Sequence, residues 1–151
     1  MCRSRGRVDC SKYNHSTIPN DLPTGTVSLD LHHNDIETID IDFLTNCSGL
    51  KKLDLTNNLL VDTPQELFTL LPHLEQLNLR RNQLTKLPDN LMKGKNLTKL
   101  DVRGNRIESI SIGEWTTVSG VKIVDLGRNN LQRLPYSGNA SHDIFSIIEE
   151  L

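Results

Sequence analysis

The amino-acid sequence predicts an α/β solenoid: a right-handed curved coil with parallel strands on its concave face. Two observations carry the prediction. Asn34, Asn58, Asn82, Asn105 and Asn129 recur at steps of 24, 24, 23 and 24 residues. Around each asparagine the apolar residues fall in the same places. The first set is Leu29, Leu31, Asn34, Ile36, and the second Leu50, Leu53, Leu55, Asn58, Leu60. The third is Leu74, Leu77, Leu79, Asn82, Leu84, and the fourth Leu97, Leu100, Val102, Asn105, Ile107. Val121, Val124, Leu126, Asn129 and Leu131 make the fifth.

The shared phrase, L-x-x-L-x-L-x-x-N-x-L, is the leucine-rich-repeat signature, met five times in register. Each repeat supplies a short strand, a turn and a return segment. One repeat cannot bury its leucines alone, so neighbours must stack into one continuous core. The asparagine has a structural task. After the strand the chain turns inward and leaves backbone groups pointing into the core, where they must be paired. An amide side chain offers both donor and acceptor, so a column of asparagines can join one coil to the next.

At 151 residues the chain reads as one domain. Its parts are an amino-terminal cap (1–25), five repeats (26–140) and a short carboxyl-terminal cap helix (141–151). A net charge of −2 gives no bulk attraction to nucleic acid or to an anionic membrane. No apolar run approaches the length of a membrane span. No hydrophobic signal segment stands at the amino end. Met1 is followed at once by Cys2-Arg3-Ser4-Arg5, which reads as a start inside a longer protein or as a processed chain.

A solenoid has raw ends, and each needs a cover. The amino end carries Val8-Asp9-Cys10-Ser11, then Ile18-Pro19-Asn20-Asp21-Leu22-Pro23, then Thr26 at the opening of the first repeat. This stretch resembles the cysteine-rich cap of extracellular leucine-rich-repeat proteins, the group of Slit, Toll-like receptors, small proteoglycans and variable lymphocyte receptors. The family cap usually holds four cysteines in two bridges, whereas this chain has Cys2 and Cys10, with Ser4 where a further cysteine could fall. The resemblance implies a Cys2–Cys10 disulfide and an extracellular or cell-surface ectodomain fragment. The alternatives are two free thiols in a truncated cap and a cytoplasmic location. Cys47 falls where Leu71 and Val118 stand in other repeats, a slot in which cysteine acts as a small apolar residue.

After Leu134-Pro135 the pattern fails, and Glu150 stands where a sixth strand needs an apolar residue. Ile144, Ile147, Ile148 and Leu151 instead have helical spacing, with Ser141 as a helix start and Asp143 in the first turn. A short amphipathic cap helix is expected there; the alternative is the frayed start of a further region. Sequons place N-glycosylation acceptors at Asn14, Asn46, Asn96 and Asn139, all outside the asparagine column.

Alternation along each strand puts the residues between the leucines on the concave face. The partner-binding candidates are Asp30, His32, His33, Lys52, Asp54, Gln76, Asn78, Arg80, Arg81, Lys99, Asp101, Arg103, Ile123, Asp125 and Arg128. Two columns emerge. One is acidic, Asp30, Asp54, Asp101 and Asp125 with Asn78 between. The other is basic from the third repeat on, Arg80, Arg81, Arg103 and Arg128, joined by Lys99 and Arg106. The plain reading of the acidic column is mutual pairing with flanking lysines and arginines. The aspartates lack the six or more oxygen ligands that calcium prefers, so no metal is expected. Arginine suits bidentate contact with carboxylate or sulfate, so a protein partner presenting an acidic or sulfated surface to repeats three to five is expected.

Catalysis has little to stand on. The five histidines form no H-E-x-x-H arrangement, and neither a nucleophile elbow nor a phosphate loop occurs. His32-His33 beside Asp30 could make a pH-sensitive contact or be two exposed polar residues. The sequence therefore predicts a non-catalytic binding module without cofactor. The alternatives are a cytosolic scaffold or enzyme-regulatory subunit, and a matrix protein that binds anionic polysaccharide.

Overall fold

The computed structural model describes residues 6–110 and 121–132. Among them one parallel sheet runs through six strands in chain order. The strands are β1 (Arg7–Asp9), β2 (Ser28–Asp30), β3 (Lys52–Asp54), β4 (Gln76–Asn78), β5 (Lys99–Asp101) and β6 (Ile123–Asp125). Two helices lie on the return side, α1 (Ile41–Asn46) and α2 (Leu67–Leu70), and a 3-10 turn spans Leu91–Lys93. Strands stack about 4.8 Å apart while packed helices need about 8–10 Å. The bulkier return side therefore sits on the outside of the curve, and the strands sit on the inside.

The leucine phrases do what their spacing predicts. Val8, Leu29, Leu53, Leu77, Leu100 and Val124 stand in register across the sheet. All six are buried in one core with Leu31, Leu55, Leu79, Val102 and Leu126. The asparagine column bridges the coils. Asn58 Nδ2 donates to the carbonyls of Leu31 and Leu55, one in each coil, both at 3.0 Å. Its Oδ1 accepts the amide of Ile36 at 3.0 Å. Asn82, Asn105 and Asn129 repeat the set one coil further on each time.

The short 23-residue step has a local cause. In the second repeat the Leu71 amide bonds the Leu67 carbonyl four residues back, as in an α-helix. In the third repeat the Gly94 amide bonds the Leu91 carbonyl three residues back. The tighter 3-10 turn absorbs the missing residue. A Cβ on Gly94 would meet Phe68 Cδ1 at 3.0 Å and the Leu91 carbonyl at 3.1 Å, so the tight turn also needs the absent side chain. In α1, Asp40 caps the amino end by accepting the Asp42 amide at 2.8 Å, while Phe43 and Leu44 enter the core.

The cap holds a strand that the repeat signature did not reveal. Arg7–Asp9 pairs with Ser28–Asp30, and Cys10 occupies the core slot held by Leu31 one coil later. Asn34 closes this coil too. Its Nδ2 donates to the Cys10 carbonyl at 2.9 Å, and its Oδ1 accepts the amides of Tyr13 and His15. Cys47 is a buried free thiol, and burial pushes its pKa up, which fits a small core residue. Cys2, Asn139 and the expected helix over 141–151 lie outside the described residues.

Candidate functional site

Register turns the strands into rows across the concave face. One row is Arg7, Ser28, Lys52, Gln76, Lys99 and Ile123. The next outward-facing row is Asp9, Asp30, Asp54, Asn78, Asp101 and Asp125. Between them a depression of about 330 Å³ opens over β1 to β5, floored by the edges of Leu29, Leu53 and Leu77. Its wall includes Arg7, Lys52 and Lys99 on one side, and Asp30, Asp54 and Asn78 on the other.

The aspartate row has a structural task that the sequence reading did not assign. In every strand the Oδ1 of this residue accepts the amide two residues on. Asp9 takes Ser11, Asp30 takes His32 and Asp54 takes Thr56, at 2.9 to 3.1 Å. Asn78 takes Arg80, Asp101 takes Arg103 and Asp125 takes Gly127. These are Asx-turns that end the strand and satisfy an amide leaving the sheet. Beside these turn bonds, Lys52, Lys99 and Arg80 form no ion pair within 4.0 Å among the described residues, while Arg80 and Lys99 act on Asp101 and Arg7 on Asp9 through space. Asp54 Oδ2 instead accepts Asn78 Nδ2 at 3.2 Å, and Asp30 lies 2.6 Å from His32 Nδ1. Burial raises the pKa of Asp101; the Arg103 amide opposes this and neighbouring Asp125 reinforces it. Asp9 is shifted down by its bonds to Ser11.

The basic column splits in two. Arg80 and Arg103 follow the aspartate row by two residues on adjacent coils. Arg81 and Arg128 stand one residue further on, beyond the strand. There Lys12, His33, Asn57, Arg81 and Arg128 all adopt left-handed backbone with φ from 52° to 63°, and Gly104 has φ 70°. That conformation is unfavourable by about 1–2 kcal/mol for a residue with a Cβ. The coils from Lys12 to Gly104 offset it with an intercoil bond from the same amide, such as Arg81 to the Arg103 carbonyl at 2.8 Å. His33, Arg81 and Arg128 therefore belong to the bend and not to the strand alternation. A Cβ on Gly104 would lie 3.3 Å from Arg81 Cγ, so the missing side chain leaves room for the arginine stem to lean over the next coil.

His32 and His33 meet edge to face at 5.1 Å, and an Asn57 Nδ2 lies 2.9 Å from His33 Nε2. Among the described residues no three histidine, cysteine, aspartate or glutamate side chains gather as a metal site. No helix of the described residues is long and apolar enough to cross a membrane. Arg7, absent from the sequence-derived set, lines the depression through the unforeseen strand β1. The phrase Val8-Asp9-Cys10, a copy of Leu29-Asp30-Leu31, was the signal that could have placed it.

A family model described as Leucine rich repeat matches residues 24–84 and 48–94, and a second of the same description matches 96–117. Together they cover more than half of the chain. The chain belongs to the leucine-rich-repeat family. Among curated relatives of this leucine-rich-repeat chain, Tsukushi of Mus musculus is 35% identical over 140 residues, 89% of this chain and 40% of that protein. Epiphycan of Homo sapiens is 30% identical over 130 residues, 85% of this chain and 39% of that protein. The chain thus spans about 40% of the length of these relatives, which are extracellular leucine-rich-repeat proteins. Among solved structures, a Shigella effector LRR domain superposes with a TM-score of 0.68 at 25% identity, covering 88% of this chain and 54% of that one.

Proposed function

We propose that this leucine-rich-repeat domain is a non-catalytic, extracellular protein-recognition module that holds its ligand on the concave strand face. The observation that supports it most is the depression over β1 to β5, whose lining includes Lys52 and Lys99, side chains that the fold does not consume. The core, the asparagine column and the Asx-turns account for the buried and turn-forming residues. Lys52, Lys99 and Arg80 do none of this structural work. A rigid, sheet-backed surface of this kind needs little ordering on binding, which favours recognition.

An oxidising compartment agrees with the cap. Cys10 is disulfide-bonded and Cys47 is free. Within this reading Cys2 is the partner of Cys10. The acceptors Asn14, Asn46 and Asn96 are exposed and stand off the two concave rows, so glycans there would leave the depression open. The relatives Tsukushi and Epiphycan point to the same compartment.

The test is an array of secreted and cell-surface ectodomains probed with the oxidised chain. Arg80→Glu with Arg81→Glu should remove the specific signals, while Lys95→Glu in the return segment should leave them. Signals that survive the double change at the concave edge, or that fall only with Lys95→Glu, would refute the reading.

A further inference from the structure

We infer that the depression takes a polypeptide segment with segregated charge, its acidic side chains along Arg7, Lys52 and Lys99 and its basic side chains along the aspartate row. This rests on the concave-face reading and specifies the partner's chemistry. The register carries the argument. The first row bears cations on β1, β3 and β5 and holds no carboxylate; the second bears Asp30, Asp54 and Asp101 and holds no cation. The rows are two residues apart along each strand, about 6.6 Å. That is inside the Debye length of about 8 Å at physiological salt, so a ligand on one row feels the other.

A uniform polyanion, drawn to the cations, would meet the aspartates as like charges. A uniform polycation would meet the lysines. Only a ligand carrying both signs on separate flanks complements both rows, and like-charge mismatch is a strong source of specificity. Lys52 and Lys99 are exposed and form no ion pair among the described residues, so both are available. The pKa of Asp101 is raised chiefly by burial and also by neighbouring Asp125, and is lowered in turn by Arg80 and Lys99, so the two rows already feel one another across the sheet. The cations recur every second strand, about 9.6 Å. An α-helix returns to one face every seven residues, about 10.5 Å, close to that step. A β-strand returns every two residues, about 6.6 Å, and falls out of step.

The probe is a synthetic 28-residue helix with glutamate every seven residues on one flank and lysine every seven on the other. Binding to the intact oxidised chain is read by fluorescence anisotropy at low and high salt. All-glutamate and all-lysine versions and heparin serve as comparisons. The expected result is at least tenfold tighter binding of the two-sided helix than of either uniform version. Lys52→Glu with Lys99→Glu should weaken it at least tenfold, and the milder Lys52→Gln with Lys99→Gln several-fold, both with unchanged melting. Equal or tighter binding of heparin or the all-glutamate helix, no binding at low salt, or indifference to both variant pairs would overturn the proposal. Loss of array signals with Arg80→Glu and Arg81→Glu is independent of this outcome, so either reading can fail alone.

Discussion

Asn82 Oδ1 accepts the amide of Leu60 from the preceding coil at 3.0 Å, while its Nδ2 donates to the carbonyls of Leu55 and Leu79. One side chain thus satisfies three buried backbone groups on two coils. Asn82→Ala should orphan all three. A buried unsatisfied group costs about 1–3 kcal/mol, so the substitution should destabilise by about 3 kcal/mol or more, read by urea unfolding. Asn82→Asp should fare no better, since a carboxylate has no proton for Leu55 and Leu79. A change below about 1 kcal/mol for Asn82→Ala would show that the column is not what joins the coils.

Thr63 presents the converse case. It occupies the slot filled by Ile39, Leu87 and Ile110 in other coils, is buried, and its Oγ1 has no hydrogen-bond partner. Thr63→Val keeps the shape and removes the unpaired hydroxyl. Stability should rise by about 1–2 kcal/mol, seen as a higher melting temperature. Unchanged or lower melting would mean that the hydroxyl has a role in the coil.

Asp101 gives a pH signature. Its folded pKa lies above the unfolded 3.8, so its buried charge opposes folding at neutral pH. That opposition fades as pH falls through the raised value. Asn78 shows that an amide makes the same turn bond in the same row. Asp101→Asn should therefore raise the melting temperature at pH 7, and the gain should vanish below about pH 3.8, where the parent is protonated in both states. Asp101→Ala also loses the turn bond, so it should be less stable than Asp101→Asn by about 1 kcal/mol at every pH. Asp9 and Glu75, whose pKa values are lowered, act oppositely: their contributions are present above 3.8 and 4.5 and are lost in acid. A pH-independent Asp101→Asn effect would refute the assignment.

The solenoid was legible because its determinants are local and periodic. Leu53, Leu55 and Asn58 fix strand, core face and bridge within six residues. The strand Arg7–Asp9 was hidden although Val8-Asp9-Cys10 copies the repeat phrase. Asp9 and Asp30 are 21 residues apart, out of step with the period, and Tyr13 stands where an asparagine belongs. The aspartate column was visible, but its purpose was not. Whether Asp54 meets a lysine or the Thr56 amide depends on the turn after the strand, and that turn is set by left-handed Asn57. The same turn divides the arginines: Arg80 and Arg81 are neighbours in sequence, yet one follows the strand and the other rides the bend.

The central claim is that a protein ligand sits over the middle of the sheet. Gln76→Asn with Asn78→Thr creates a sequon on β4, inside the depression, and threonine retains a weaker form of the turn bond. The decisive measurement is binding of the parent and of this glycosylated variant, expressed from secretory cells, to an ectodomain recovered from the array. The glycan should abolish binding while circular dichroism and melting stay close to the parent. Full binding with the glycan in place would contradict a ligand on the concave face.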